Sequence, residues 1–316
     1  MKKTAFLVPV LCAVLIGVAG PFMGNYVSDF VVKIMILSIF ALSLELLVGM
    51  TGLVSLGHAA FYGIGAYVTV LASGSEGGNF GLLLPLAMGA AALYALFVGA
   101  LSLRTRGVYF IMVTLAFAQM AFFVFHDTKV GGGSDGIYMY VRPALGALDM
   151  ENRTVLFYVV LASLVFTYGL LALIRRSRFG AALAGIRVNE QRMRAAGFSV
   201  YAYKLAAFVL AGALAGLAGF LLASRDGVVN PELMAWHNSG EVLLMVILGG
   251  LGHLRGAVIG AIAFTLLKEL FQLEALLGPV AAHWQMTLGF TIIAFVALLP
   301  KGLIGLRARL VGARHG

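Results

Sequence analysis

The chain is 316 residues long; 61% of them are hydrophobic, only 11% are charged, and the mean hydropathy is +1.00. Soluble domains carry roughly 25% charged residues, so the composition excludes a water-soluble enzyme and points to an integral membrane protein. The net charge of +9 does not mark a nucleic-acid binder, because the basic residues lie between apolar runs, where they set topology.

A helical span needs about 17 to 25 mostly apolar residues. In chain order, the runs at 4–23, 31–48, 82–103, 108–125, 155–174, 205–223 and 286–299 meet that requirement, and weaker ones lie at 56–73, 236–251 and 257–271. The first follows Lys2 and Lys3 like a secretory signal. It reads as a retained span, because it continues past signal-peptide length and no A-x-A site follows. Cys12, the only cysteine, lies inside it, so no intramolecular disulfide can form.

Ten spans are expected. An inside N-terminus puts sixteen of the 22 basic residues in the cytoplasm, which predicts both termini inside. The longest polar interval, 127–153, is too short for a second domain, so residues 1–316 read as one transmembrane domain. The runs are continuously apolar, which excludes a β-barrel with its ten-residue alternation. Gly212, Ala215, Gly216 and Gly219 place small residues at helical spacing, which allows close helix packing in lipid.

Three stretches carry the chemistry. In 49–67, glycines at 49, 52, 57, 63 and 65 interrupt sequence at membrane depth. Irregular backbone is tolerated there only where protein buries it or a watery cavity solvates it, so such segments point to a transport path. Ser55, Gly57, His58, Gly63 and Gly65 are the candidate path residues, with Glu45 added as an acid inside a span. His58 reads either as a titrating group or as a hydrogen-bonded packing residue, and a Glu45–His58 pair is one arrangement open to it. A second glycine-broken segment, LGGLGHLRG at 248–256, echoes the first through its Leu-Gly-His. The expected topology gives both the same orientation, so the echo reads as coincidence. Glu241, Lys268 and Glu269 lie near span ends, where they can snorkel.

The third stretch, 175–204, holds seven basic residues and one acid between two spans and is expected in the cytoplasm. Asn189 is a predicted N-cap, Glu190 an acid in the first turn and Gly197 the C′ residue of a short helix, a docking point on the inner face. GGGSDG at 131–136 reads as a flexible outer turn that either meets an external partner or connects two spans. No P-loop, G-x-S-x-G, H-E-x-x-H or metal-ligand spacing occurs, so neither a catalytic nor a metal site is expected. Active transport would then draw on an ion gradient or a separate ATPase. The thin inventory of acids and bases in the spans favours the ATPase.

LVSLGHAAFYGIGAY at 53–67 resembles the signature of LivM-type permeases of branched-chain amino acid ABC importers. So do GGSDG at 132–136, SRFG at 177–180 with Ile186 and Arg187, AAG at 195–197, the run 203–219, LLMVILGGLG at 243–252 and PKGLIG at 300–305. The resemblance implies a roughly ten-helix, vitamin-B12-importer-like bundle in a bacterial inner membrane. It also implies a LivH-type permease partner, two ATP-binding subunits that hold the nucleotide, and an extracytoplasmic solute-binding protein. No cofactor is expected on this chain. The family's coupling loop maps onto 179–197, with Phe179, Gly180, Arg187, Glu190, Ala195 and Gly197 as the residues toward the ATPase. Glu45 and His253-Leu-Arg255 depart from the pattern, and urea or short-amide importers share much of it. A stand-alone ion-coupled carrier is the alternative from another class.

Overall fold

The computed structural model describes residues 15–18, 20, 24–74, 77–145, 148–273, 278–299 and 302–305. Among them the protein is all-α, as expected. Helix α1 (Asn25–Glu45) runs into a wide π turn (Leu46–Thr51), and after a break come α2 (His58–Ser73), α3 (Phe80–Ser102) and α4 (Val108–Asp127). α5 (Arg153–Arg176) leads into two short helices, α6 (Arg178–Val188) and α7 (Glu190–Ala195), and the long α8 (Val200–Asp226) follows. α9 (Trp236–Gly249), α10 (Leu254–Gln272) and α11 (Trp284–Leu298) close the order. Two-residue strands form an antiparallel ribbon between β1 (Ile137–Tyr138) and β4 (Val228–Val229), and another between β2 (Ala144–Leu145) and β3 (Leu148–Asp149).

Six helical stretches among the described residues are long and apolar enough to cross a membrane: α1 with its π turn, α3, α4, α5, α8 and the C-terminal stretch containing α11. The expected count of ten is not reached among them. The 4–23 run lies mostly outside the described residues. α9 and α10, expected as two spans, bend by 116° at their break and together make at most one, a broken span or a re-entrant loop. The reason is length: the 14 residues of α9 rise ~21 Å at 1.5 Å each, short of a ~30 Å hydrocarbon core. α2, with 16 residues, is likewise short, and nearly every one of its residues is buried in the bundle.

α8 is the hub. Two thirds (67%) of its most apolar window is buried inside the chain, against 22–28% for α3, α4 and α5, which turn most of their surface away from the bundle. Small residues permit this. The buried face of α3 carries Ala87, Ala91 and Ala95, four residues apart, and Gly212 and Gly216 of α8 lie against them. On the other side, a Cβ at Gly65 of α2 would stand 2.5 Å from the Gly216 carbonyl oxygen, and Gly219 meets the backbone of Tyr62 and Ala66. Lipid is as apolar as a side chain, so backbone-to-backbone approach of this kind supplies the dispersion contacts that hold membrane helices together.

The loop at 131–136 is a packed turn. Gly132 and Gly136 adopt φ of +72° and +76°, Gly136 lies against the β4 backbone, and Tyr67 donates a 3.2 Å hydrogen bond to the Gly131 carbonyl. The close α2–α8 contact has a measurable consequence. Gly65→Ala should lower stability by about 1–3 kcal/mol in thermal unfolding, because only backbone surrounds the new methyl. Gly169→Ala in α5, where nothing lies within 4 Å, should be neutral or slightly stabilising.

Candidate functional site

The basic segment folds as read from the sequence, with one addition. Asn189 caps α7, its Oδ1 accepting a 2.9 Å hydrogen bond from the Arg192 amide, and Glu190 occupies the first turn. Gly197 takes the C′ position with φ of +86° and open space around it. The addition is α6, capped by Ser177, whose Oγ accepts from the Gly180 amide at 3.2 Å. That cap had its own signal in Ser177-Arg-Phe-Gly180.

The residues of the segment divide by environment. Phe179 packs inward and stacks on Tyr203 of α8, with centroids 5.6 Å apart. Gly180 lies against the backbone of Ile174 and Arg175 at the end of α5, where a side chain would not fit. Glu190 is ion-paired with Lys204 of α8 and, at 3.4 Å, with Arg194 of its own helix. These contacts fasten the segment to α8. Ala195 and Gly197 are exposed with their neighbours, Arg192 and Arg194 among them, and Val188 is 85% exposed, so the tip presents small, apolar and basic groups outward.

Arg187 does something different. Its guanidinium donates to the carbonyl of Gly49 in the π turn, 138 residues away in sequence. A Cβ at Gly52 would touch the Arg187 stem at 3.4 Å, and a Cβ at Gly252 would lie 3.5 Å from its Nη1. Gly52 and Gly252 adopt φ of +76° and +82°. The two glycine-broken segments therefore converge on one arginine of the loop. Both breaks also lead through a Gly-His pair into a helix, α2 or α10, which gives the echo between them a local structural basis.

Glu45 belongs to this junction. Its carboxylate folds back over Gly49, in space that any side chain at 49 would fill, and the Gly252 and His253 amides point at it. The Glu45–His58 pair does not form. His58 Nε2 shares a 2.8 Å hydrogen bond with Ser43 Oγ, and the ring, fully buried, stacks on Phe40 at 5.5 Å. One helical turn of α1 separates the acid from that stack.

The other candidate path residues sit in tight contacts. Ser55 Oγ accepts from the Gly57 amide at 3.2 Å, Gly57 lies against the Thr114 backbone, Gly63 against Met234 and Gly65 against Gly216. In front of the junction opens a cleft of about 630 Å³. Arg104, Arg106, Arg187, Arg194 and Lys204 line it, with Glu190 as the one acid on its wall. Among the described residues no group of three or more His, Cys, Asp or Glu is placed to hold a metal ion.

A family model described as the permease component of branched-chain amino acid transport systems matches residues 26–298. The chain is 31% identical to the high-affinity branched-chain amino acid transport system permease protein LivM of Salmonella typhimurium, over an alignment covering 96% of this chain and 75% of that protein. LivM of Escherichia coli matches with the same identity and coverage. A probable branched-chain amino acid transport permease protein LivH of Methanocaldococcus jannaschii is 27% identical over 48% of this chain and 49% of its own. No solved structure matches the chain. A likeness that runs almost end to end, in a bundle of apolar helices with a capped basic segment at one end, means that the chain belongs to the family of branched-chain amino acid transport permease components.

Proposed function

We propose that this chain is the transmembrane subunit of an ABC importer that carries branched-chain or related hydrophobic amino acids across a bacterial inner membrane. In this reading it pairs with a LivH-type permease, two ATP-binding subunits and an extracytoplasmic solute-binding protein, and the nucleotide stays on the partners. The basic cleft and the 179–197 segment face the cytoplasm, as the positive-inside bias requires, and both termini lie on that side.

The observation that carries the reading is the bond from Arg187 to the Gly49 carbonyl. It ties the segment an ATPase would push to the π turn, and the same guanidinium lies beside Gly252 at the second break. Force on the exposed tip around Gly197 passes through α7 and α6 to Arg187, and from Arg187 to the π turn and the 250–253 break. Gly52, Gly250 and Gly252, all at positive φ, form turns there that few other residues could make. Hinges of this kind absorb motion at a few element-terminal residues while the packed helices stay rigid. The small α3–α8–α2 seam supports that rigidity, because close-packed backbones resist deformation.

Two outcomes are expected in the complex reconstituted in proteoliposomes. Gly197→Val strains the C′ turn and blunts the exposed tip, so co-purification of the ATP-binding subunits should fall by at least half. Unchanged recovery together with unchanged uptake rejects the docking role. Arg187→Ala should leave the complex assembled and hydrolysing ATP but cut uptake about tenfold or more, with Arg187→Lys intermediate because a lysine keeps one donor and loses the fork. Full uptake by Arg187→Ala rules out this transmission route. Uptake by this chain alone, in liposomes without any partner, would instead establish a stand-alone carrier.

A further inference from the structure

At the other end of α8, ~33 Å from Lys204 by the rise from residue 204 to 226, a second cavity of about 240 Å³ opens. Helices α1, α2, α8, α9 and α10 wall it together with Leu233. Lys33 of α1, Arg225 and Asp226 of α8, Glu241 of α9 and Lys268 of α10 bring three cations and two anions to its lining. Phe40, Tyr62, Leu222, Met245 and Phe264 line the rest. The charges form two pairs, Arg225–Asp226 at 2.8 Å and Lys268–Glu241 at 2.9 Å. Arg225 Nε is buried and has no hydrogen-bond partner among the described residues. Lys268 also sits over the Trp284 ring, 5.3 Å from its centroid, and Arg142 donates a 3.0 Å hydrogen bond to the Arg225 carbonyl, which steadies that end of α8.

Snorkelling explains a lone charge near a helix end. It does not explain five charges from four elements around one small cavity with an aromatic wall, where Phe40 stacks on Tyr62 at 4.5 Å. Ionisable side chains of membrane spans that pair with one another around a cavity mark solute pathways. A free amino acid carries what this lining complements: a carboxylate for the cations, with Arg225 Nε as an open donor, an ammonium for the acids, and an apolar side chain for the aromatic wall. The volume falls below the ~300 Å³ at which drug-sized pockets begin, a size for a single small molecule. A neutral solute such as urea would use neither ion pair.

We propose that this cavity is a binding site for one zwitterionic hydrophobic amino acid, entered from the side opposite the basic cleft, where the solute waits between its delivery and its passage inward. The proposal rests on the import reading above and adds the place and the recognition chemistry. Because both acids are already paired, the solute binds by exchanging partners, so affinity is low and release is easy.

The test is direct binding of L-leucine to the assembled complex in nanodiscs, without solute-binding protein, at concentrations up to ~10 mM. Saturable binding is expected, with leucinamide and 4-methylpentanoate, each lacking one charge, competing at least tenfold more weakly, and urea not competing. Asp226→Asn should weaken leucine binding at least tenfold. So should the double variant Glu241→Gln with Lys268→Met, which removes both partners and leaves no orphaned charge to disturb folding. Wild-type affinity in both variants, or equal competition by the singly charged analogues, overturns the site. Absence of leucine binding by a complex that still imports leucine overturns the site and leaves the import reading standing. A complex that neither binds nor imports any hydrophobic amino acid overturns both.

Discussion

The governing constraint is that a helix broken at membrane depth has no water to complete its hydrogen bonds, so protein groups must do it. This chain breaks its helices twice near one end of the bundle and answers each break with specific groups. After the π turn, the Leu53 amide reaches back to the Leu47 carbonyl at 3.2 Å and Gly57 uses Ser55 Oγ. The Ala59 amide in the first turn of α2 is taken by Ser239 Oγ of α9 at 2.9 Å. The buried carbonyl of Gly49 is taken by Arg187. Satisfying the backbone thus produces the wiring, because two of these partners lie on elements far away in sequence.

Around that junction the bundle has a closely packed seam and a part broken by glycine turns. Glycine and alanine on α8, α3 and α2 allow backbones to touch, and a seam of that kind has no slack to take up motion. α9 and α10 also pack through glycines, with Gly260 against the backbone of α9, Gly256 against Gly249 and Gly250, and Gly302 also against Gly250, so the bent pair is tight up to the start of its break. Glu45, held over Gly49 among backbone amides and within electrostatic range of Arg175 and Arg187, adds a counter-charge where the loop meets the bundle.

The two polar regions differ in a way that suits opposite ends of one route. The basic cleft is almost uniformly cationic, whereas the cavity at the opposite end of α8 balances cations with acids and offers an aromatic wall. Between them α1 carries a continuous set of contacts: Phe40 stacks on both Tyr62 and His58, and His58 bonds Ser43, two residues before Glu45.

The amino-acid sequence by itself determined the class of molecule, the position of the long spans and the local build of the basic segment. Those depend on composition and on near-neighbour chemistry: apolar run length, the Asn189 cap, Glu190 in the first turn and the αL glycine at 197. It also located both glycine-broken segments and flagged Glu45, since an acid or a run of glycines in a span is visible without partners. What it could not decide was which distant groups meet. His58 pairs with Ser43 rather than Glu45, Arg187 reaches Gly49 across 138 residues, and Glu241 and Lys268, which near span ends looked like snorkelling charges, close on each other inside a cavity. The short α9 and the bend before α10 were likewise decided in three dimensions, because a hydropathy run does not reveal that a glycine turn folds two helices back on one another. Pair formation between separate helices carries no periodic trace in the chain, so only the packed bundle could make those choices.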